Sequence, residues 1–473
     1  MRYKRVFIIY PYYPGHDADA PPVGLGYLAE NLEANGVVYK VYNMNIQRGI
    51  SVLKKNLARF DPDLIGITMM TYRYNSHYEL IKTIRKHFPL IKIAAGGPHL
   101  SFFKEQVLHE CPEIDYGFVM EAENSFKELC CGEALTKING LLFRENEEVM
   151  SNSHYEFKAD LDAFPFPKYT GFDLNKYTKR SINLLTSRGC PYNCIFCGHH
   201  LVTGKCFRFR DPVKVVDEIE YWVKKGYSDF NVTDSNFSVS KERVYAICDG
   251  IEKRGLKVRL CCGDGVRADR VDLALLKRMR QVGFRALSIG VESGSDRVLK
   301  NMEKGESLAD IERTVKMACE LGYDVTLFFV IGSPGETEDD VKRSIEFALR
   351  YPIFSVNFNL LIPYPGTKLY DWVKNHGYLL RDYREYLNDV THVSNTPVYQ
   401  TPELPLQKIL ALVPILKQAQ RTVHRNTIRR KLAGKNELIR NAAAMLYTSD
   451  LFQRVKNSNR LFQMISSNIT RRF

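Results

Sequence analysis

The sequence has no apolar run long enough to cross a membrane as a helix. Its longest apolar runs, TLFFVIG from Thr326 and ILALVPIL from Ile409, fall far short of the roughly 20 residues that a bilayer-spanning helix needs. The opening residues MRYKRVFIIYPYYP lack the apolar core and the small-residue cleavage site of a secretory signal peptide. We therefore expect a cytoplasmic protein that is soluble or bound peripherally to a membrane.

The composition also lacks the marks of disorder and low complexity. Hydrophobic residues make up 45% of the chain and charged residues 26%, and there are only 20 prolines among 473 residues. These proportions are typical of globular proteins, and the length has room for about three folded units. Because the 11 cysteines come without a secretory signal, we expect reduced thiols or metal ligands and no disulfide scaffold.

The first 150 residues alternate short apolar runs with amphipathic stretches of helical period. The strand-like runs are RVFIIY, VYKVYN, DLIGITMM, IKIAAGG and DYGFVM. Runs that are apolar on both faces and separated by helices predict a parallel sheet covered on both sides. We therefore predict an α/β fold that begins with a doubly wound, Rossmann-like domain over 1–150, which binds its ligand at the carboxyl ends of the strands.

The alternation resumes after a segment rich in aromatic residues and X-Pro steps, which predicts an extended linker over 151–180. Six strand-like runs follow: SINLLTS, DFNVTDS, KVRLCCG, ALSIGVES, VTLFFVIG and SVNFNLLIP. Six consecutive βα units predict a partial (βα)6 barrel of the TIM type over 181–380, with function again at the strand carboxyl ends. Residues 381–473 are predicted to form a mainly helical, basic extension.

The net charge of +13 is concentrated in this extension. Residues 401–473 hold 14 Lys and Arg and 3 acidic residues, which leaves a net charge of +2 on the first 400 residues. Two interpretations stay open: a solvated basic helical extension packed on the barrel, and a helix that lies peripherally on an anionic membrane. Nucleic-acid binding is disfavoured, because the segment has no recognition motif and few aromatic residues.

The most informative residues are Cys190, Cys194 and Cys197 in SRGCPYNCIFCGHH, directly after the first strand of the predicted barrel. This spacing lets three thiolates reach one metal centre, and thiolates favour zinc or an iron–sulfur cluster. Zinc needs a fourth ligand, which His199 or His200 can supply. A structural zinc site usually has paired CxxC arms, however, and this loop has one arm.

The CxxxCxxC motif after the first strand of a (βα)6 array, with Phe196 before the last cysteine, resembles the radical S-adenosylmethionine (SAM) enzymes. The resemblance implies a [4Fe–4S] cluster on Cys190, Cys194 and Cys197, with SAM chelating the fourth iron. It implies reductive cleavage of SAM to a 5′-deoxyadenosyl radical, with a flavodoxin- or ferredoxin-type electron donor.

Residues at the predicted strand ends supply the contacts that SAM would need. Asp234 can accept from the methionyl ammonium, Arg267 can donate to its carboxylate, and Glu292 with Ser293 can hydrogen-bond the ribose. The run IGSPGE, from Ile331 to Glu336, gives an apolar wall for the adenine. The expected SAM contacts are Phe196, Asp234, Arg267, Glu292, Ser293 and Ile331.

The first domain resembles the cobalamin-binding domain of the cobalamin-dependent branch of this superfamily, through PPVGLGYLAENL, DPDLIGIT and IAAGGPHLSFF. A long polar corrinoid tail must thread beside glycines and can meet a helix amino terminus. The expected cobalamin contacts are Gly24, Gly26, Thr68, Gly96, Gly97 and His99. The DxHxxG motif whose histidine ligates cobalt is absent, and His16 has the wrong spacing. Any bound corrinoid should therefore have a lower face that is open or occupied by water or an apolar side chain.

These resemblances imply a cobalamin-binding radical SAM enzyme. In the best-populated mechanism of that branch, cobalamin takes a methyl group from one SAM, and a second SAM gives the radical that prepares an unactivated carbon to receive it. Methylation of a small-molecule or lipid substrate is our hypothesis, while ring formation, rearrangement and coupling stay open. The alternatives are a cobalamin-independent radical SAM enzyme that binds substrate in its first domain, and a zinc-stabilised binding protein without enzymatic activity.

Overall fold

A computed structural model describes residues 1–14, 19–152, 155–389 and 396–448. The first region holds one sheet, whose strands are β1 (Arg5–Tyr10), β2 (Val38–Asn43), β3 (Leu64–Thr68), β4 (Lys92–Gly96), β5 (Tyr116–Phe118), β6 (Leu141–Glu145) and β7 (Glu148–Ser151). Its helices are α1 (Val23–Ala34), α2 (Ile50–Phe60), α3 (Tyr74–His87), α4 (Pro98–Phe103), α5 (Glu105–Glu110) and α6 (Glu123–Cys131).

The strand order of this sheet is β2-β1-β3-β4-β5-β6-β7, and β1 to β5 are parallel. The central strands are buried on both faces, as the uninterrupted apolar runs predicted. The strands β6 and β7 were not predicted: they form an antiparallel hairpin that extends the parallel sheet. Its turn lies at Asn146 and Glu147, which adopt positive φ values of 49° and 69°.

The segment from 155 to 180 is irregular and packs against the protein instead of bridging through solvent. It contains single 3-10 turns at Leu161–Ala163 and Leu174–Lys176. Tyr169 and Phe172 are buried in the hydrophobic core that also includes residues of α1. The segment therefore connects the first sheet to the second region through buried side chains.

The second region contains strands β8 (Ser181–Leu184), β9 (Ser187–Arg188), β10 (Arg208–Phe209), β11 (Asp229–Val232), β12 (Arg259–Cys262), β13 (Phe284–Glu292), β14 (Asp324–Ile331) and β15 (Ser355–Leu360). Its helices are α7 (His200–Thr203), α8 (Pro212–Lys224), α9 (Lys241–Lys253), α10 (Leu273–Val282), α11 (Asp296–Asn301), α12 (Leu308–Glu320) and α13 (Glu338–Arg350).

Six of these strands form the predicted open, parallel array, in the order β15-β14-β13-β12-β11-β8. Fully buried residues alternate with half-buried residues along β8, β11, β14 and β15. The fully buried residues belong to the core shared with the surrounding helices. Strands β9 and β10 form a separate two-stranded antiparallel pair beside the end of β8.

Helix α14 (Lys368–Asn375) follows β15, and the described part of the carboxyl-terminal extension contains α15 (Tyr383–Asp389), α16 (Leu406–Lys431) and α17 (Glu437–Thr448). Helix α16 packs against β15 and α13, and it buries Ile409, Leu412 and Leu416 in the core. The basic extension is therefore packed on the barrel over α16. Among the residues that the structure describes, no helix has the length and apolar character needed to span a bilayer.

Candidate active site between the two sheets

The three cysteines lie in one loop between β9 and α7, and neighbouring segments hold this loop from several directions. Ile195 donates its backbone N–H to the Met302 carbonyl and accepts from Leu369 N–H, each at 3.0 Å. Gly189 has φ 84°, and a Cβ there would lie 2.0 Å from the Cys206 carbonyl oxygen. The backbone geometry therefore permits only glycine directly before Cys190.

The donor set, three thiols in one loop, has the composition of an iron–sulfur cluster site with one iron left open. Cys190, Cys194 and Cys197 are all half-buried free thiols. The described part of the chain contains no group of three or more His, Cys, Asp or Glu side chains arranged to hold one metal ion. His199, one of the two candidate zinc ligands, shares a hydrogen bond between its Nε2 and Ser235 Oγ.

A buried charged cluster that we did not predict lies beside the cysteine loop. Lys304 Nζ donates to Glu292 Oε1 at 3.1 Å and is 3.4 Å from Glu306 Oε2. Although burial opposes it, these two carboxylates raise the pKa of Lys304, which stays protonated. Burial raises the pKa of the Cys194 thiol to about 11, and the Lys304 ammonium acts against that rise. A cation is thus in place to stabilise charge at the thiol.

Glu292 occupies the end of β13 in a left-handed conformation, with φ 64°. Its carboxylate approaches the backbone so closely that a Cβ on Gly290 would lie 2.3 Å from Oε1. The next residue, Ser293, is completely buried, and its Oγ has no hydrogen-bond partner in the described structure. Both predicted ribose contacts therefore lie together, and one of them offers an unsatisfied polar atom.

Two other predicted SAM contacts are already engaged by protein groups. Asp234 accepts from the Thr186 N–H at 2.6 Å, from the Thr186 hydroxyl at 2.5 Å and from Ser187 Oγ at 2.6 Å. Arg267 donates to the carbonyls of Lys304 and Gly305, each at 3.0 Å, and its guanidinium lies 3.5 Å from the ring centroid of Tyr192 in the cysteine loop. These bonds give both residues a structural task, and their contact with SAM stays a prediction.

The remaining predicted SAM residues surround the same strand ends. Ile331 is buried at the end of β14, and Phe196 is half-buried against the second hydrophobic core. In the IGSPGE turn, Glu336 Oε2 accepts from the Gly332 N–H at 2.6 Å and the Ser333 N–H at 3.1 Å. Burial raises the pKa of Glu336 to about 8. The buried Glu336 carboxylate therefore holds the backbone of this turn in place.

A cavity of about 360 Å³, which we call the junction cavity, opens between the first sheet and the barrel. Its walls come from both sheets and include Gly24, Thr68, Gly96 and Gly97 on one side and Ser187, Arg188, His199 and Ser235 on the other. A Cβ on Gly24 would meet nothing within 4 Å and would project into open space. The cradle fits part of a corrinoid, such as the nucleotide tail, better than the whole molecule.

Two of the predicted cobalamin contacts lie elsewhere. Gly26 faces the linker, where a Cβ would be 2.5 Å from the Tyr169 ring, so this glycine serves packing. His99 stacks on Tyr74 with ring centroids 4.6 Å apart and shares a 3.0 Å hydrogen bond with Tyr78. Neither residue is among those that line the junction cavity. His16 lies outside the residues that the structure describes.

Comparisons with known proteins match both regions. Residues 17–130 match the model of the B12 binding domain, and residues 184–348 match that of the radical SAM superfamily. An uncharacterized methyltransferase of Pyrococcus horikoshii is 31% identical over 375 residues, which cover 77% of this chain and 81% of that protein.

The chain belongs to the cobalamin-binding radical SAM enzymes. It therefore uses a [4Fe–4S] cluster, SAM and cobalamin.

One further relative and two solved structures are similar to this chain. The anaerobic magnesium-protoporphyrin IX monomethyl ester cyclase of Cereibacter sphaeroides is 25% identical over 423 residues, covering 85% of this chain and 68% of that protein. The cobalamin-dependent SAM radical enzyme OxsB superposes with a TM-score of 0.76 at 17% identity, over 99% of this chain and 75% of that chain. The radical SAM methyltransferase TsrM from Kitasatospora setae gives 0.70 at 21% identity, over 79% and 76%. These two structures confirm the predicted α/β fold.

In this radical SAM enzyme, sequence reasoning missed the buried ion pairs that join the two cofactor regions. Arg188, two residues before the first cysteine, lies 2.7 Å from Glu123 and 3.3 Å from Glu121 in the first region. Glu121 also pairs with Arg208 at 2.6 Å. In the sequence, Arg188 and Lys304 look like any charged residue near a turn, and only their positions beside the cysteine motif and a Lys-Gly-Glu run gave a signal.

Proposed function

We propose that the protein is a methyltransferase that transfers a methyl group from SAM, through cobalamin, to an unactivated carbon of a small molecule. The junction cavity supports this proposal, because it is bordered both by glycines of the cobalamin-binding region and by Ser187 and Arg188, which directly precede the cysteine loop. A shared space is what a reaction needs when two cofactors act on one substrate. The methyltransferase names of the relatives from Pyrococcus horikoshii and Kitasatospora setae support it as well.

When bound, the cluster, SAM and cobalamin supply a 5′-deoxyadenosyl radical and a transferable methyl group. In our proposal, Cys190, Cys194 and Cys197 hold the cluster, and Ser293 with Glu292 orients the ribose of SAM. Lys304 balances the charge of Glu292 and Glu306 beside the cluster. The apolar walls of the junction cavity exclude water from the reacting groups.

Helix α4 supports a fixed spacing between the two cofactor regions. It begins directly after Gly97, and the Phe102 ring packs where a Cβ on Gly198 would lie 2.2 Å away. Gly198 directly follows Cys197. Helix α4, which directly follows the predicted cobalamin contacts Gly96 and Gly97, therefore touches the cysteine loop. The two sites cannot shift independently without losing this contact.

The products of SAM test the proposal. Methylation consumes two SAM molecules, one giving S-adenosylhomocysteine and the other giving methionine and 5′-deoxyadenosine. We expect the reduced, cobalamin-loaded enzyme to form both nucleoside products when a small-molecule extract is added. The enzyme without cobalamin should show no extract-dependent increase in either product. Deoxyadenosine alone would instead favour ring formation, the second candidate, which the similarity to the Cereibacter sphaeroides cyclase supports.

We also propose that a flavodoxin- or ferredoxin-type protein supplies the electron. Each reductive cleavage of SAM takes one electron, and the enzyme's own thiols and side chains offer no renewable source. Reduced flavodoxin should replace a chemical reductant in the assay, and a flavodoxin that supports no deoxyadenosine formation would contradict this assignment.

Helix α17 supports a peripheral contact with an anionic membrane. Leu438 is 79% exposed and Met445 is 67% exposed, and residues 401–448 hold 9 Lys and Arg against 2 acidic residues. An exposed apolar face on a basic segment suits an anionic lipid surface. The double variant Leu438→Glu, Met445→Glu should lose binding to phosphatidylglycerol vesicles, while Leu90→Glu, at a 92% exposed position in the first region, should retain it. Equal binding by both variants would refute this contact.

A further inference from the structure

The IGSPGE turn is contacted by a residue from outside the barrel. Tyr399, in the carboxyl-terminal extension, donates its hydroxyl to the Gly332 carbonyl at 2.5 Å. Tyr399 is 4% exposed, and a Cβ on Gly332 would lie 3.2 Å from its phenol oxygen. Gly332 is buried as well and has φ 104°. The tyrosine therefore packs against the residue that directly follows Ile331, the predicted apolar wall for the adenine.

Two successive peptide groups of this turn have all their hydrogen bonds. The peptide group directly before Gly332 accepts from the Leu361 N–H at 2.9 Å and donates to Glu336 Oε2 at 2.6 Å. The next peptide group donates to the same carboxylate oxygen at 3.1 Å, and its carbonyl accepts from Tyr399. Three of these four hydrogen bonds come from the barrel, and the fourth comes from the extension.

The turn is also linked to the cysteine loop. Ser333 Oγ donates to Met302 Sγ at 3.3 Å, and the Met302 carbonyl accepts from the Ile195 N–H at 3.0 Å. Ile195 directly follows Cys194. A SAM molecule that chelates the cluster and lays its adenine on Ile331 spans these two segments. Its affinity therefore depends on the place of the turn relative to the loop.

Backbone pairing with the segment after α14 fixes the position of Tyr399. The Leu380 N–H donates to the Val398 carbonyl at 3.0 Å, and the Gln400 N–H donates to the Tyr378 carbonyl at 3.1 Å. These bonds hold the residues on both sides of Tyr399, so the ring does not depend on its hydroxyl for its place. Phenylalanine at this position would keep the ring and leave the buried carbonyl of the turn without a hydrogen-bond partner in the described structure.

We infer that Tyr399 is a positioning residue for SAM: its hydroxyl holds the Gly332 carbonyl, so that the turn keeps the conformation that receives the adenine. The extension then completes the SAM site, although Tyr399 lies beyond the residues 184–348 that match the radical SAM superfamily. This inference rests on the proposed function, since it assigns a residue to the SAM site of the same reaction. Because Tyr399 acts through the turn, it should affect the adenosine half of SAM and not the methionine half.

The test compares the removal of one hydroxyl at each end of β14. Tyr399→Phe removes the hydrogen bond to the residue that follows this strand. The matched control is Tyr323→Phe, because Tyr323 directly precedes the strand, is equally buried and donates to the Leu276 carbonyl at 2.7 Å. Anaerobic equilibrium dialysis of the holoenzyme, loaded with cluster and cobalamin, measures the dissociation constants of SAM, 5′-deoxyadenosine and methionine.

We expect both variants to lose a similar amount of stability in urea and to retain their iron and corrin absorbance. Only Tyr399→Phe should bind SAM and 5′-deoxyadenosine about tenfold more weakly, with methionine binding unchanged. Wild-type SAM affinity in Tyr399→Phe, an equal loss of affinity in Tyr323→Phe, or an equal weakening of methionine binding would overturn the inference. Loss of iron or corrin from Tyr399→Phe would overturn it too, since the hydroxyl would then serve the fold as a whole.

Failure of the proposed function looks different. The wild type then forms no S-adenosylhomocysteine with any extract. The three dissociation constants need no methyl acceptor, so they test the role of Tyr399 independently of the methylation.

Discussion

The first region borders the junction cavity mainly with glycines and apolar side chains, whereas the barrel borders it mainly with polar side chains on either side of the cysteine loop, Arg188 before it and His199 after it. Gly96 and Gly97 end β4 with no side chain, and the same cavity is bordered on the barrel side by Arg188 and His199. A large cofactor with many amide groups needs room and backbone contact, while a cluster needs ligands. The cobalamin site is therefore damaged by adding atoms, and the cluster site is damaged by removing them.

Loss of a cluster ligand should have the largest effect. Cys194→Ala removes a thiolate from the barrel side, so we expect loss of the iron absorbance and a fall of SAM cleavage to below about 1% of wild type. Cobalamin retention should stay normal, because the first sheet is untouched. Cys206→Ala, at an exposed cysteine close to the same loop, is the control. Iron retained by Cys194→Ala would contradict the ligand assignment.

Adding one carbon to the first sheet should lower the cobalamin content and leave the iron content unchanged. Gly97 has φ 103°, and its Cβ would lie 2.9 Å from the Met69 carbonyl oxygen. Gly97→Ala should therefore displace the edge of the cradle and reduce cobalamin retention about tenfold, with iron retained. Gly434→Ala, where a Cβ meets nothing within 4 Å, should change neither. The measurement is the corrin-to-iron ratio after desalting, and an unchanged ratio would break the comparison.

Removing the buried cation should cost stability on the barrel side. Lys304→Met leaves Glu292 without its cation, while Glu306 keeps Arg267 at 3.7 Å, and breaking a buried pair in this way typically costs about 3–5 kcal/mol. We expect a lower midpoint in urea unfolding and weaker SAM binding. Lys300→Met, on an exposed turn of α11, should unfold like the wild type. Equal midpoints for the two variants would show that the charged cluster contributes nothing.

A pH-dependent effect on stability, smaller at each pH unit than the loss in Lys304→Met, should come from Glu336. Burial raises its pKa to about 8, so the folded state binds this proton more tightly than the unfolded state does. The stabilisation is complete below the ordinary carboxyl pKa and is lost as the pH rises through about 8. Between pH 5 and 8 the wild type should lose about 1.4 kcal/mol of unfolding free energy per pH unit relative to Glu336→Gln. Parallel pH profiles for the two proteins would rule this out.

The strands could be predicted from the sequence because their signal is local. Each parallel strand is a continuous or alternating apolar run, and each cofactor residue was sought at the end of such a run. The hairpin of β6 and β7 escaped because its turn, at Asn146 and Glu147, lacks the glycine that usually marks a tight turn.

The partners of charged residues could not be predicted, because they depend on distances between distant parts of the chain. Asp234 has the residue type and position expected of a SAM contact, yet its oxygens are occupied by Thr186 and Ser187. Gly26 resembles a ligand-binding glycine and instead makes room for Tyr169. Lys304 is marked in the sequence only by the short Lys-Gly-Glu run in which it stands. Spacing predicts which elements meet, and packing decides which atoms remain available.

The central claim is that cobalamin and the cluster bind close together at the junction cavity. Electron paramagnetic resonance of the holoenzyme with paramagnetic cobalt(II) in cobalamin tests it most directly, because a reduced cluster nearby must broaden the cobalt signal or speed its relaxation. We predict this perturbation in the wild type and its absence in Cys194→Ala. An unperturbed cobalt signal in a wild-type sample that contains both cofactors would contradict the account.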